Sequence, residues 1–342
     1  MDQHQLSEGP LLDEKGELCE AGYAFSLVKK YDRNAIKVPK HRIKEWDYYY
    51  IGNAEFGLAL TIDDNGYMGL GAATWMEFPD VHIHKSHMYA FPMGKGKLPA
   101  SSKEGDTHYS NKKGVVLSFC HSGEGKRRLT GYWPKFDKEG HDLHFDITLT
   151  ETSPNSMVIA TPFHKKGHFY YNQKINNMKA NGYAKLGEKM LDFSSCYGVL
   201  DWGRGVWTRK NTWYWSSLNS ELKGQPFGWN LGYGFGNTNA ASENMVFYGD
   251  KAYKLEEVRF DIPIGKNGKD DFMSPWTIRS SDGRIKASFR PVYNRHEKAS
   301  AIIISQNANQ VFGLFTGTLF LDGLRLDFEG LPGFAEKVSN RW

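Results

Sequence analysis

The stretch Phe227-Gly228-Trp229-Asn230-Leu231-Gly232-Tyr233-Gly234-Phe235-Gly236 alternates without a break. Odd positions carry Phe, Trp, Leu, Tyr and Phe, and even positions carry Gly, Asn, Gly, Gly and Gly. Successive side chains of a β-strand point to opposite faces. A strand here presents one wall of large apolar groups and one face of nearly bare backbone. Glycine inside a strand weakens it, so a run of glycine marks either barrel curvature or the close approach of another backbone or a ligand. The string is not a dinucleotide fingerprint. It lacks the GxGxxG spacing, and no helix follows it.

Outward from this stretch the pattern repeats in shorter runs. Leu58–Ile62, the turn Asp63-Asp64-Asn65-Gly66 and Tyr67–Leu70 read as a hairpin. Val115–Phe119, Leu143–Leu149, Ser156–Thr161, Val258–Ile262, Ile285–Phe289, Ala301–Ser305 and Val311–Leu321 read as further strands. Turn residues separate these runs roughly every 8–12 positions, the spacing of an all-β sandwich or barrel. Residues 71–90 are the place where a single helix is expected, since Ala72, Ala73, Trp75 and Met76 tolerate one. A polar Lys/Gly stretch at Gly182–Asp192 suggests a division. An N-terminal β domain would span 1–185, and a C-terminal β domain carrying the aromatic–glycine block would span 186–342. No Pro-rich linker stands there, so the halves are expected to pack closely.

Composition narrows the function classes. The chain has 342 residues, enough to bury about 75% of its unfolded surface without disulfides. With 43 basic and 39 acidic residues the net charge is +4, a mixed surface that gives no electrostatic footprint for nucleic acid. The densest basic run, Lys126-Arg127-Arg128, reads as a solvated turn. No apolar run reaches the ~20 residues of a spanning helix. The polar N-terminus lacks the apolar segment of a signal peptide. Cys19, Cys120 and Cys196 are odd in number and form no CxxC pair, so neither a disulfide framework nor a thiolate zinc site is signalled. A cytoplasmic protein with no cofactor is the expectation, and oligomeric state is left open. GxSxG, P-loop and HExxH motifs are missing from the sequence.

Aromatic residues make up 14% of the chain, and five of its ten tryptophans lie between Trp202 and Trp229. Asp201 and Arg204 stand beside Trp202 and Trp207, and Glu243 follows the glycine strand. A carboxylate among rings is raised in pKa by desolvation, whereas a nearby guanidinium lowers it. Asp201, Arg204 and Glu243 are therefore the candidate catalytic groups. A simple Asp–Arg pair tying a turn is the plainer reading. Trp202, Trp207, Trp213, Trp215, Asn230, Tyr233 and Tyr171 are the candidate lining of a small-molecule cavity. Tyr170-Tyr171-Asn172-Gln173-Lys174 either lines a pocket or forms an amphipathic strand, and Glu45, Asp47 and Tyr48 share that ambiguity. His82, His84 and His87 are spaced as in some metal sites but read as a solvated loop, so no metal is assigned. Arg341 is expected to pair with an acid such as Glu336.

The strings DWGRGVW, NTWYW, GWNLGYGFGNTNAASENMVFY, SDGR and GFAEKVSNRW resemble a largely bacterial family, domain of unknown function 2804. GPLLDEKGELCEAGYA, RIKEWDYYYI, TIDDNGYMGLG, SMVIATPF and FYYNQKIN extend that resemblance over nearly the whole chain. More distantly, Asp201-Trp202-Gly203, Trp213-Tyr214-Trp215 and Gly224 are similar in order to the carotenoid hydratase-like, tandem lipocalin-like superfamily. That resemblance implies two packed lipocalin-like antiparallel β-barrels with few short helices. It also implies hydration, isomerisation or cyclisation of apolar isoprenoid or polyene substrates by an aspartate amid aromatics. The histidine common between that Asp and the Trp-Gly is missing here, so only Asp201 and the two tryptophans of the Trp-x-Trp carry over.

Three functions fit these readings. One is an acid–base enzyme acting on an apolar, isoprenoid or lipid-like molecule in a β-barrel cavity. A second is a carbohydrate-binding or glycoside-processing protein using stacked aromatics and paired carboxylates. A third is a non-catalytic lipocalin-like carrier, which requires an apolar cavity and no perturbed carboxylate.

Overall fold

The computed structural model describes residues 3–89, 98–301 and 304–341. The described residues are 62% strand and 2% helix, which leaves no room among them for a parallel α/β architecture. Two antiparallel sheets, of thirteen and nine strands, curl into half-barrels that pack against each other.

In the first sheet the main order is Val81–Tyr89, Gly69–Glu77, Phe56–Asp64, Ile43–Gly52, Tyr197–Val206, Phe169–Leu186, Leu143–Thr150, Lys126–Trp133, Val116–Gly123 and Thr107–Ser110. Its curl brings the last of these strands back toward the first ones, where the Tyr109 ring covers Gly71. The second sheet runs Lys251–Lys254, Met245–Tyr248, Gln225–Tyr233, Lys210–Leu222, Leu324–Arg341, Ile304–Leu321, Ile285–Ala301, Trp276–Ser280 and Val258–Asp261. It also curls, so that the Tyr233 hydroxyl accepts from the Phe260 amide at 3.3 Å.

The hairpin predicted around Asn65-Gly66 forms between Phe56–Asp64 and Gly69–Glu77, with Gly66 at φ +82°. The helix expected over 71–90 does not form. Gly69–Glu77 and Val81–Tyr89 pair as antiparallel strands instead, because cross-strand hydrogen bonding to Phe56–Asp64 outweighs helix-tolerant composition. Lys126-Arg127-Arg128 is not a solvated turn either. It opens a strand, and Arg127 turns inward to Glu151 and the Ser102 carbonyl. The change of sheet falls between Val206 and Lys210, so residues 186–206 of the expected second domain hydrogen-bond within the first sheet.

Each half-barrel has its own apolar interior, and two further buried clusters lie between the sheets. One joins Tyr50, Met76 and Val199 of the first sheet to Trp215, Phe312 and Phe334 of the second. The other joins Met157, Ile159 and Tyr170 to Phe235, Met245 and Phe247. A bulge at Asn176–Asn177 pins the two together. The Asn176 amide donates to Ser217 Oγ, Asn219 Oδ1 and the Trp229 carbonyl, each at 3.0 Å. Among the described residues no helix is long and apolar enough to cross a membrane.

Candidate functional site

Strand alternation sorts the candidate residues between two environments. Along Phe169–Leu186, Tyr170, Asn172 and Lys174 face the opposing sheet, whereas Tyr171 and Gln173 point into the first half-barrel. On the neighbouring Tyr197–Val206 strand the same parity puts Asp201 between the sheets. It puts Trp202 and Arg204 inside the first half-barrel. Asp201 and Arg204 therefore form no pair. Arg204 is fully buried and donates to Asp47 Oδ1 at 3.1 Å and to the Pro99 carbonyl, and it stacks on the Trp202 ring at 4.3 Å. Glu45 lies in the same interior and accepts from the Tyr31 hydroxyl at 2.6 Å.

The glycine strand behaves likewise. Phe227, Trp229, Leu231 and Tyr233 fill the second half-barrel, and Tyr233 stacks on Tyr214 at 4.5 Å. Tyr233 and Tyr171 thus point into the half-barrel interiors and away from the face that carries Asp201. The even positions face the first sheet. Asn177 approaches Gly228, and a Cβ at Gly232 would meet the Glu243 carboxyl carbon at 2.7 Å. The bare face is filled by side chains, Asn177 from the first sheet and Glu243 from the loop after the strand, where another backbone or a ligand was one of the expectations. Its alternation stops at Tyr233, because Gly234 and Gly236 adopt φ +91° and +78°. That turn swings Phe235 to the other side, edge-on to Tyr170, Trp207 and Trp213 at 4.8, 4.9 and 5.3 Å.

Between the sheets these residues enclose a buried set of ionisable groups. Asp201 Oδ1 accepts from Lys174 Nζ at 2.8 Å and from the Asn172 amide at 2.6 Å. The Lys174 ammonium lies 4.3 Å over the Trp215 ring. The Trp215 indole N–H donates to Asn230 Oδ1 at 2.7 Å, and the Asn230 amide donates to the Glu243 carbonyl and to Glu243 Oε2 at 2.8 and 3.3 Å. On the far side Glu336 accepts from the Trp213 indole N–H at 2.9 Å and from the Gln310 amide at 3.0 Å. Gln310 in turn contacts the Tyr48 hydroxyl. Lys254 supports the loop that carries Glu243, donating to Ser242 Oγ at 2.7 Å and to the Asn244 carbonyl at 3.0 Å.

Burial dominates the electrostatics. It pushes the Glu336 carboxyl up to about 7, against the pull of the Trp213 hydrogen bond and the Lys174 and Arg295 charges. Burial also raises Glu243, which Lys174 and the Asn230 hydrogen bond pull the other way. The Tyr170 hydroxyl is raised by burial and then by the charges of Asp201, Glu243 and Glu336. Lys174 thus sits among three buried carboxyl groups drawn from both sheets. Near neutral pH a group with the pKa of Glu336 is present in both protonation states, as acid–base work requires.

The structure brings together Asp201, Glu243, Asn230, Trp207, Trp213 and Trp215, and leaves out Arg204, Trp202, Tyr171 and Tyr233. Sequence reasoning missed Glu336 and Gln310 as members of this set, and it left Tyr170, Asn172, Lys174 and Tyr48 open between pocket lining and an amphipathic strand. The i, i+2, i+4 spacing of Tyr170, Asn172 and Lys174 carried a signal for three of them. The expected Arg341–Glu336 pair is replaced by the Trp213 and Gln310 contacts. His82 and His84 are on a strand, not a solvated loop. His84 Nδ1 meets Thr74 Oγ1 at 2.7 Å and Glu297 Oε1 at 3.6 Å, and the His82 ring packs on Tyr293. The His87 side chain lies outside the described residues.

A family model described as Domain of unknown function (DUF2804) matches residues 3–342. No curated protein matches the chain by sequence. Among solved structures, kievitone hydratase from Nectria haematococca is similar, with a TM-score of 0.51 and 14% identity over 92% of this chain and 96% of that one. The structure of CghA with Sch210972 is also similar, with a TM-score of 0.44 and 10% identity over 98% of this chain and 97% of that one. These neighbours are tandem lipocalin-like proteins. At such identity the likeness is one of fold.

Proposed function

The chain belongs to the family described as Domain of unknown function (DUF2804), and from that premise we propose that it performs acid–base chemistry on an apolar small molecule held between its two half-barrels. The observation that carries this reading is Glu336, whose carboxyl group titrates at about 7 while facing the Asp201–Lys174 ion pair. A buried carboxyl group kept partly neutral beside an ion-paired carboxylate is an arrangement that divides the roles of acid and base. Glu336 donates a proton to an alkene carbon of the substrate. Water adds to the resulting cation, and the proton it releases passes to Asp201. The proton then returns to Glu336, so the net reaction is addition of water; the reverse sequence removes water. Glu243 and Tyr170 border the same groups and set their field.

The aromatic wall has a specific share. Lys174 lies over the Trp215 ring, and we assign the developing cation to the Trp213 and Trp207 rings, of which Trp213 is hydrogen-bonded to Glu336. Each such contact contributes about 0.5–2 kcal/mol. The structural neighbour named as a hydratase supports chemistry of this general kind through its fold. The perturbed glutamates favour catalysis over simple carriage.

The test is native mass spectrometry of the purified protein against a panel of isoprenoid and polyene ligands, followed by turnover of the bound ligand in ¹⁸O-labelled water. Wild-type protein is expected to place the label in the product. Glu336→Gln and Asp201→Asn are each expected to lose about a hundredfold or more of that rate while still binding ligand. Equal binding with no labelled product from any form would identify a carrier instead.

A further inference from the structure

We propose that Asp106, His108 and Cys120 form a zinc-binding site on the edge hairpin of the first half-barrel. Asp106 directly precedes Thr107–Ser110, and Cys120 lies on the paired Val116–Gly123 strand. One ligand atom from each of the three lies within 4.8 Å of the others. Ligand atoms of a tetrahedral zinc ion are separated by about 3.3–3.8 Å, as its bond lengths require. A zinc ion would draw the three atoms in by that difference, and the side chains of Asp106 and His108 are exposed at this edge.

The donor set selects the metal. Thiolate, imidazole and carboxylate together suit Zn²⁺, whereas Mg²⁺ and Ca²⁺ take all-oxygen sites. Three protein ligands leave a fourth position for water or another donor. Ser118 Oγ lies 3.1 Å from His108 Nδ1 and holds the ring in place, the kind of outer contact that orients a metal-binding histidine. Arg128 is the nearby guanidinium, and it is bound to both oxygens of Asp146 at 2.8 and 2.5 Å.

A second observation points the same way. His121 Nε2 lies 2.7 Å from the Ser102 carbonyl, which can only accept, so this nitrogen carries the hydrogen. In the neutral ring Nδ1 then bears a lone pair. It is buried without a hydrogen-bond partner, 3.8 Å from Asp106 Oδ1.

The experiment uses the full chain and Co²⁺ as an optical probe, with Zn²⁺ as competitor. Wild-type protein is expected to develop a thiolate-to-cobalt charge-transfer band that saturates at one equivalent and disappears on adding Zn²⁺. Cys120→Ser is expected to abolish the band, and His108→Ala and Asp106→Asn to weaken Co²⁺ binding about tenfold or more. Cys19→Ser is the control for the exposed thiol and is expected to leave the titration unchanged. Circular dichroism and melting establish that each variant is folded. A wild-type titration with no saturable charge-transfer band, or a band that survives in folded Cys120→Ser, overturns the proposal.

Discussion

Glu336 shows what burial does to a carboxyl group even when two hydrogen-bond donors face it. Its pKa in the folded chain is about 7, against 4.5 for the free group. Below about pH 4.5 the group is protonated in both folded and unfolded chains. As pH rises toward 7 the unfolded chain ionises first, so folding loses up to about 3 kcal/mol over that window. Glu243 is displaced in the same direction. Glu20 acts in the opposite sense: its bonds from Lys29, His4 and Ser7 hold it near 2, so its contribution is lost as pH falls through that value. Glu336→Gln is therefore expected to flatten the decline in stability between about pH 4.5 and 7 and to leave the acid limb unchanged. Urea melts at a series of pH values measure this, and parallel wild-type and variant profiles would contradict the burial argument. The substituted amide places a donor against Gln310, but a turn of the Gln310 amide restores that hydrogen bond.

At the scale of single strands, period-two alternation decides which face a residue serves. Asp201 and Arg204 are three positions apart and so fall on opposite faces of one strand, although in sequence they look like a pair. Glycines on the inter-sheet faces make room for large side chains of their own sheet. The Trp46 indole lies directly over Gly203, where a Cβ would overlap ring atoms. At Gly232 the added atom would instead meet the end of a glutamate side chain, at 2.7 Å. Gly203→Ala is accordingly expected to cost about 3 kcal/mol and Gly232→Ala about 1 kcal/mol, as overpacking costs scale with how little the neighbour can yield. Chemical denaturation of the two variants measures the order, and a costlier Gly232→Ala would show that the Glu243 loop is the more rigid neighbour.

At the scale of the molecule, the two sheets share a buried seam. Phe334 is fully buried there, edge-on to Trp215 at 4.8 Å and to Tyr50 at 5.5 Å, with Phe312 alongside. The Asn176 hydrogen bonds add a polar clamp across the same seam. With apolar packing and buried polar bonds both crossing it, neither sheet can expose the seam alone without hydrating that apolar surface and giving up those hydrogen bonds. Calorimetry is expected to show one unfolding transition. Phe334→Ala is expected to lower stability by about 3–5 kcal/mol and keep a single transition. Two resolved transitions in the wild type would mean that the half-barrels unfold separately.

The sequence by itself determined those strands whose signals are local: the hairpin at Asn65-Gly66 and the two-faced Phe227–Tyr233 strand follow from side-chain period and backbone freedom. It also placed Asp201, Glu243 and Trp213 as candidates, because polar groups embedded among aromatics stand out in any window. Only the tertiary structure decided which of them meet. Glu336 reaches Trp213 across 123 positions, and Lys174 reaches Trp215 from another sheet, so no local spacing encodes either contact. Sheet membership was likewise decided in three dimensions. The polar stretch near residue 185 looked like a division, yet hydrogen bonding keeps the chain in the first sheet to Val206, because pairing energy depends on the partner strand and not on the composition of the strand itself.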